Sequence, residues 1–365
     1  MNVSAFAGVR RDNIEPYIAG EDRIDGQENV LKLSSNENPF GPGQLARTAL
    51  VESLNSPERY PPQDHAALRT AIAEAHGLEP ERIVCGAGSD EILGLLCRAF
   101  AGRGDEVIHT HHGFLMYPIF ARAAGAEPVE VNENERRVDV EKILASVTTR
   151  TRIIFVANPN NPTGTMISGM ELERLADGIP DNVLLVLDGA YAEYADGYDG
   201  GASLTETRPN VVMTRTFSKI HGLASLRIGY GYGPEPVIDM LNRIRGPFNV
   251  SGPAQLAAAA AVGDVDHVRR SRLHNSRMRQ LMAARLEQAG VPSDQSHANF
   301  ILARFGSAAE AAACDKCLRN AGILVRRTDA YKLPHCLRIT IGDVVNCEVV
   351  CGVIAEFMAA RDKDQ

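Results

Sequence analysis

From about Arg82 onward, short runs of β-branched and other apolar residues alternate with longer stretches whose apolar positions recur every three or four residues, and Gly, Pro or Asn separates each from the next. The short runs RIVCG, DEVIHT, EPVEVN, RIIFVANP, NVLLVLD, NVVMTRT and RIGYGYG predict strands. Between them, SDEILGLLCRAFA, FLMYPIFARAAGA, DVEKILASV and SGMELERLADG predict helices. A βαβα series of this kind builds a mostly parallel sheet with helices on both faces, and ligands bind beyond the carboxyl ends of its strands. After GPFNVSGP the pattern changes to Ala-rich AQLAAAAAV, then a long charged helix from about Asp266 to Ala289, then NFILARF, a helix, ILVRR, CLRITIG and a final helix. That texture predicts a separate α+β module. The expected layout is a turn-rich arm over 1–40, a large domain over 41–251 and a small C-terminal domain over 252–365.

Composition narrows the function. With 365 residues, 44% of them apolar, the chain can bury a large core. Its 38 Lys and Arg against 46 Asp and Glu give a net charge of −8, a field that repels nucleic acid and anionic membrane surfaces. An anionic ligand must therefore be held by local basic groups. The arginines of HVRRSRLHNSRMRQ lack interleaved aromatics and read as a solvated helix face. No apolar run approaches about eighteen residues, and no apolar stretch follows a positive start at the N-terminus, so a cytoplasmic protein is expected. Seven scattered cysteines read as reduced thiols. Cys314 and Cys317 of CDKC have a metal-like spacing but no histidine pair, which favours helix packing, and no metal is expected.

Four strand-end loops carry the candidate chemistry. VCGAGSDE, Val84 to Glu91, follows a strand and opens a helix, where backbone N–H groups can cradle a phosphate. Gly86 and Gly88 fit a dinucleotide fingerprint, but Glu91 stands where its third glycine belongs. That leaves phosphate binding by Ala87, Gly88, Ser89 and Asp90, or a glycine turn made for packing. In VANPNNPTG, Pro159 and Pro162 restrict the backbone around Asn161, whose amide could donate to a ligand oxygen, although a rigid turn would read the same. In LLVLDGAYAEY an apolar strand ends on Asp188, with Tyr191 three residues on; the carboxylate needs a cationic partner there, or it caps the next helix. RTFSKIHGLASLRIGYG places Lys219 at the same sheet edge, where desolvation lowers its pKa toward a nucleophilic amine that forms imines; a snorkelling surface lysine is the alternative. Thr216, Ser218 and Arg227 beside it suit a phosphate dianion. Phosphate, phenolic oxygen, pyridinium nitrogen and aldehyde, the features these loops would satisfy together, are those of pyridoxal phosphate (PLP).

Taken in order, KLSSNENPFGP, RYPP, GAGSDE, NPNNPTG, DGAY, RTFSKIHGLASLRIGY, PFNVS, HANF, GILVR and LRITIG resemble the motifs of the fold-type I (class I/II) PLP-dependent aminotransferases, and among them the histidinol-phosphate branch. The resemblance implies an α/β fold with a large domain on a mostly parallel seven-stranded sheet plus a smaller α+β C-terminal domain. It implies that Lys219 is the Schiff-base lysine and proton shuttle, that Asp188 pairs with the pyridinium nitrogen, and that Asn161 and Tyr191 hold the phenolic oxygen. Ser89, Asp90, Thr216, Ser218 and Arg227 would hold the phosphate, and Phe114 would stack on the ring. Tyr60 of RYPP would reach the phosphate of a neighbouring subunit, which implies a homodimer with shared sites. Tyr17, Asn36, Arg326 and Arg338 would contact substrate. The implied reaction, a step of histidine biosynthesis, takes histidinol phosphate and 2-oxoglutarate to imidazole-acetol phosphate and glutamate. An aromatic-amino-acid aminotransferase is the nearest alternative; a PLP-dependent lyase or decarboxylase of a phosphorylated amino acid and a non-enzymatic PLP-binding regulator are more remote. The chain departs from the family at Gly189, usually glutamate, at Phe114, often tyrosine, and at Pro62, where an acidic residue usually follows YP.

Overall fold

The computed structural model of the protein describes residues 14–364, so the first thirteen residues of the expected arm lie outside the described residues. Within these the strands are β1 (Leu31–Leu33), β2 (Ile83–Gly86), β3 (Glu106–Thr110), β4 (Glu127–Val131), β5 (Thr151–Ala157), β6 (Leu184–Asp188), β7 (Val211–Thr216), β8 (Gly229–Tyr232), β9 (Phe300–Arg304), β10 (Ile323–Arg327) and β11 (Cys336–Thr340). They form a seven-stranded sheet of order β2-β8-β7-β6-β5-β3-β4 and a four-stranded sheet of order β1-β10-β11-β9. All seven strands expected from the apolar runs are present. In β5, β6 and β7 nearly every residue is buried, which is why they read as continuous apolar runs and not as alternating ones.

Strand direction and register decide what meets at the sheet edge. Ala157 pairs with Asp188 and Asp188 with Thr214, so β5, β6 and β7 end level and deliver their following loops to one place. β8 is antiparallel to both of its neighbours, β7 and β2. Its first residues therefore lie at the edge where the parallel strands finish, and Arg227 just before it arrives among their loops. Gly229 pairs with both Gly86 and Thr216, and a Cβ there would stand 2.5 Å from the Ser89 nitrogen. Only glycine lets these backbones approach so closely.

The four expected helices are Ser89–Phe100, Met116–Ala124, Val140–Ala145 and Gly169–Gly178. Asp139 caps the third, and Ser168 with Glu171 forms a capping box on the fourth. Met116–Ala124 starts two residues after the apolar stretch because Phe114 and Leu115 belong to the loop at the sheet edge, and Pro118 falls in its first turn, where the missing N–H costs nothing. Helices Gln44–Ser53, Ala66–His76, Ala202–Thr207 and Glu235–Ile244 lay outside the pattern reading.

Helix Gly252–Val262, which the sequence places at the start of the second unit, packs on Gln44–Ser53 and Ala66–His76, and its Ala254, Ala257, Ala258 and Ala261 join the core of the large sheet. The long helix Val265–Gln288 buries His267, Ser271 and Asn275 in its first half and Met278, Met282 and Leu286 in its second. Those last three pack with Ile301, Leu318, Ile339 and Ile354 in a separate core beneath the small sheet. Arg269, Arg270 and Arg277 on this helix are exposed, as expected of a solvated face. The arm is stitched into the small sheet, because β1 runs parallel to β10 with Leu31 opposite Ile323. All seven cysteines are unpaired; Cys314 is buried and Cys317 half-buried on one helix. Among the described residues no helix is long and apolar enough to cross a membrane.

Candidate active site

A cavity of about 490 Å³ lies between the carboxyl edge of the large sheet and the face made by β10, β11 and the arm. Lys219, three residues past β7, extends into it and donates from Nζ to the Ser35 carbonyl at 3.2 Å, with the Tyr191 ring centre 5.7 Å away. Burial, and then the Arg338 guanidinium, depresses its ammonium pKa to about 8. About a tenth of the amine is therefore unprotonated at pH 7, far more than for an ordinary lysine, as a nucleophile or base requires.

Asp188 ends β6 and is only 5% exposed. Its Oδ2 accepts from the Tyr117 hydroxyl at 2.8 Å, and its Oδ1 from the Ala190 N–H at 3.2 Å and the Thr214 hydroxyl at 3.4 Å. Even with these three donors, burial raises its pKa to about 6. A ligand cation beside it would restore the ionised form. Tyr117 was not anticipated; the signal was a lone hydroxyl in the apolar stretch FLMYPIF. Its ring stacks on Phe155 at 4.6 Å, and Phe114 meets it edge-on at 5.7 Å, half-buried against the cavity.

The anion-binding end differs from expectation in two respects. The Ala87 N–H is turned away and donates to Glu91 Oε2 at 2.6 Å, an oxygen that also accepts from Asn249 Nδ2 at 2.8 Å. Neither Ala87 nor Gly88 lines the cavity. Gly88 acts by leaving room: its φ is +81°, and a Cβ there would sit 2.4 Å from Arg227 Nη2. Asp90 lines the cavity from the first turn of helix Ser89–Phe100; its carboxylate accepts from Arg227 Nη2 at 3.1 Å, which leaves the backbone N–H as the group it can offer an anion. Arg227, at a left-handed φ of 49°, also donates from Nη1 to the Ser218 hydroxyl at 3.1 Å and the Ala224 carbonyl at 3.0 Å. Ser89, Thr216, Ser218 and Arg227 all line this end of the cavity.

The opposite wall is built from the arm and the small sheet. Arg326 and Arg338 stand directly opposite each other across β10 and β11, and both line the cavity. Arg338, 5% exposed, donates to Asn161 Oδ1 at 2.5 Å and to the Ser34 carbonyl at 2.7 Å, while its Nε has no partner. Asn161 Nδ2 is thus turned away from Arg338, on a side where Tyr331 also engages it. Arg326 is held by the Ile18 carbonyl at 2.6 Å. Asn36, at φ 57°, donates from Nδ2 to the Tyr191 hydroxyl at 2.9 Å, and burial pushes that phenol above its usual range. Tyr17 sits edge-on to Phe114 at 6.1 Å. Tyr60 does not line this cavity; it is 81% exposed and stacks on Phe248 at 4.5 Å.

A family model described as aminotransferase class I and II matches residues 28–354. The chain is 57% identical over 347 residues to the histidinol-phosphate aminotransferase of Ruegeria sp. (strain TM1040), covering 95% of this chain and 96% of that protein. It is 58% identical over 349 residues to that of Cereibacter sphaeroides (strain ATCC 17029), covering 96% and 97%. Among solved structures it resembles histidinol-phosphate aminotransferase from Sinorhizobium meliloti in complex with pyridoxal-5'-phosphate, with a TM-score of 0.87, 28% identity and 92% of each chain covered.

Proposed function

The chain belongs to the class I and II aminotransferases, and we propose that with pyridoxal phosphate it interconverts histidinol phosphate plus 2-oxoglutarate and imidazole-acetol phosphate plus glutamate. The observation that carries the reading is the cross-strand pair Arg326 and Arg338 in the cavity that also holds Lys219 and Asp188. Two guanidinium groups there suit substrates that bring a phosphate or a carboxylate to the same amine.

The residues fit the cofactor. Gly88 lets the Arg227 guanidinium and Gly229 lets the Ser89 backbone come close enough to serve this end, Ser89, Thr216, Ser218 and Arg227 offer donors to a dianion, and Asp188 offers a carboxylate in want of a cation. When bound, pyridoxal phosphate supplies an aldehyde that takes up the amino group and a ring that withdraws electrons from the carbon losing its proton. Asp188, ionised by the ring cation, would maintain that withdrawal, and Tyr117 would hold its Oδ2 in place. Asn161 and Tyr191 would donate to the phenolic oxygen, and Phe114 would cover the ring. Lys219 Nζ would remove and return the proton at the substrate Cα. Arg338 would bind the carboxylate of glutamate or the phosphate of histidinol phosphate, and Arg326, Asn36 and Tyr17 would complete that wall. Anchoring by that wall would fix which substrate bond is presented to Lys219, and so which bond breaks.

Tyr60 and Phe248 stack in the open, and Val51, Leu54 and Leu256 are exposed as well. Such an apolar surface supports a homodimer in which Tyr60 reaches the partner's phosphate end. A cytoplasmic location and a two-domain division belong to the same reading. The test is to load the enzyme with its amino-form cofactor and challenge it with imidazole-acetol phosphate and with phenylpyruvate, following return of the aldehyde absorbance. The phosphorylated acceptor should react with the higher kcat/KM; preference for phenylpyruvate would sink the substrate assignment.

A further inference from the structure

Arg215 and Glu193 form an ion pair on the far side of the large sheet from the cavity. Side chains alternate along β7, so Thr214, which donates to Asp188, and Thr216, which lines the cavity, face one way while Arg215 faces the other. Its Nη1 donates to Glu193 Oε1 at 3.2 Å and its Nη2 to the Asp199 carbonyl at 3.0 Å. The two side chains are only 6% and 9% exposed. Space for the guanidinium exists because residue 200 is glycine, where a Cβ would lie 2.5 Å from Arg215 Cζ, and the Arg215 stem runs past Gly189, whose Cβ would lie 3.2 Å from Cδ. Ion pairs this deep are costly to desolvate, and apolar residues of the same volume often stabilise a fold as well or better. What distinguishes this pair is its connectivity. Glu193 lies two residues after Tyr191, on the turn Ala192–Tyr194, and Arg215 lies four residues before Lys219.

We propose that the Arg215–Glu193 pair is a positioning device, fastening the turn that carries Tyr191 to the strand that leads into Lys219 and so fixing ring and hydroxyl against the amine. Its kinetic consequence rests on the aminotransferase reading; its geometry does not. The hydrogen bonds from Ala192 N–H to Gly189 and from Tyr194 N–H to Tyr191 lie within the turn, and the bond from Gly189 N–H to the Thr214 carbonyl ties only its start to β7. Loss of the pair leaves the far end to the packing of Tyr191 and Tyr194 against Ile220 and Phe300 and to the Asn36–Tyr191 hydrogen bond, which do not tie it to β7. The Tyr191 ring, whose centre lies 5.7 Å from Lys219 Nζ, then loses one of the anchors that hold it beside the amine.

The double variant Arg215→Met/Glu193→Gln removes both charges at similar volume without stranding either, and the two single variants complete the cycle. With pyridoxal phosphate still bound, kcat per bound cofactor should fall about 10²-fold while KM changes little, as expected of a misplacement remote from the chemistry. In the cofactor-free protein, the midpoint for acetylation of Lys219 with pH, read by mass spectrometry, should move from its wild-type position as the Tyr191 ring shifts against the amine, although Arg338, Asp90, Glu37 and Arg227, the charges that face it, are untouched. Arg215→Lys, which keeps the charge and loses the Asp199 contact, should give intermediate values and serves if the double variant folds poorly. Wild-type kcat per bound cofactor with an unmoved Lys219 midpoint would overturn the proposal and leave the pair a purely structural contact. Because the acetylation needs neither substrate nor cofactor, failure of histidinol phosphate to react would leave this test intact.

Discussion

The two walls of the cavity are built in different ways. The wall holding Lys219, Asp188 and Asn161 comes from loops leaving adjacent strands of one buried sheet, where Ala157, Asp188 and Thr214 stand level. The wall holding Arg326, Arg338, Asn36 and Tyr17 is assembled from the arm and the small sheet, and its contacts span most of the chain: Asn36 N–H to Thr340, Arg338 to Ser34, Arg326 to Ile18. A register in a doubly covered sheet tolerates no slip, since a shift by one residue would turn every side chain over. On the second wall Tyr17, 42% exposed, and half-buried Arg326 can adjust with far less loss of buried area. The first wall is accordingly suited to chemistry that every turnover shares, and the second to telling substrates apart.

That contrast can be broken by experiment. Lys219→Ala should have the largest effect, lowering kcat by about four orders of magnitude, the upper range for a lost proton-transfer group, and abolishing the hydride-reducible adduct at that position. Asp188→Asn should lower kcat by about 10²-fold or more, a defect on the same wall, measured in single turnover with glutamate. Arg338→Lys, on the other wall, should instead raise KM for acidic substrates about tenfold, because a point charge replaces a fork, with a smaller change in kcat. A large kcat defect with unchanged KM in that variant would erase the proposed division of labour.

A stability measurement sharpens the comparison without substrate. The pKa of Asp188 is raised to about 6 in the folded, cofactor-free protein, above the value of about 3.9 usual in an unfolded chain. Between those values the folded state binds more protons at this group, so the Asp188 contribution to stability should fall as pH rises from about 4 to 6 and then level off, a loss on the order of 2–3 kcal/mol. The difference in urea unfolding between the wild type and Asp188→Asn should carry that slope, and added pyridoxal phosphate should flatten it. The smallest effect is expected for Tyr17→Phe, which keeps the ring against Phe114 and removes only a hydroxyl; a KM change of about threefold or less for histidinol phosphate would fit a peripheral contact.

Much of the first wall was legible in the residue order. Apolar runs that end in Asp188 or stop just short of Lys219 announce both the strand and the reactive group at its end, because a buried parallel strand and its following loop are contiguous in sequence. Tyr117 escaped notice because its partner, Asp188, lies 71 residues away and nothing local marks the pairing. A glycine-rich strand-to-helix turn offers backbone donors in general, and the sequence does not tell Ala87, which lies outside the cavity, from Asp90, which lines it. Which way each group points was settled by Glu91 and Arg227, which take the Ala87 N–H and the Asp90 carboxylate.

The order of residues alone determined the strands of the large sheet, the edge where chemistry would gather, and the lysine and aspartate that would carry it, since periodicity and burial are local properties of a strand and its flanks. Tertiary structure alone decided that Arg326 and Arg338 face one another, that β1 draws the arm against β10, that β8 runs backward to bring Arg227 to the edge, and that Arg215 and Glu193 meet beneath it. Each of those pairings depends on the direction and register of strands and turns far apart in the chain. They are chosen by how whole surfaces bury against one another, and no short stretch of residues encodes that choice.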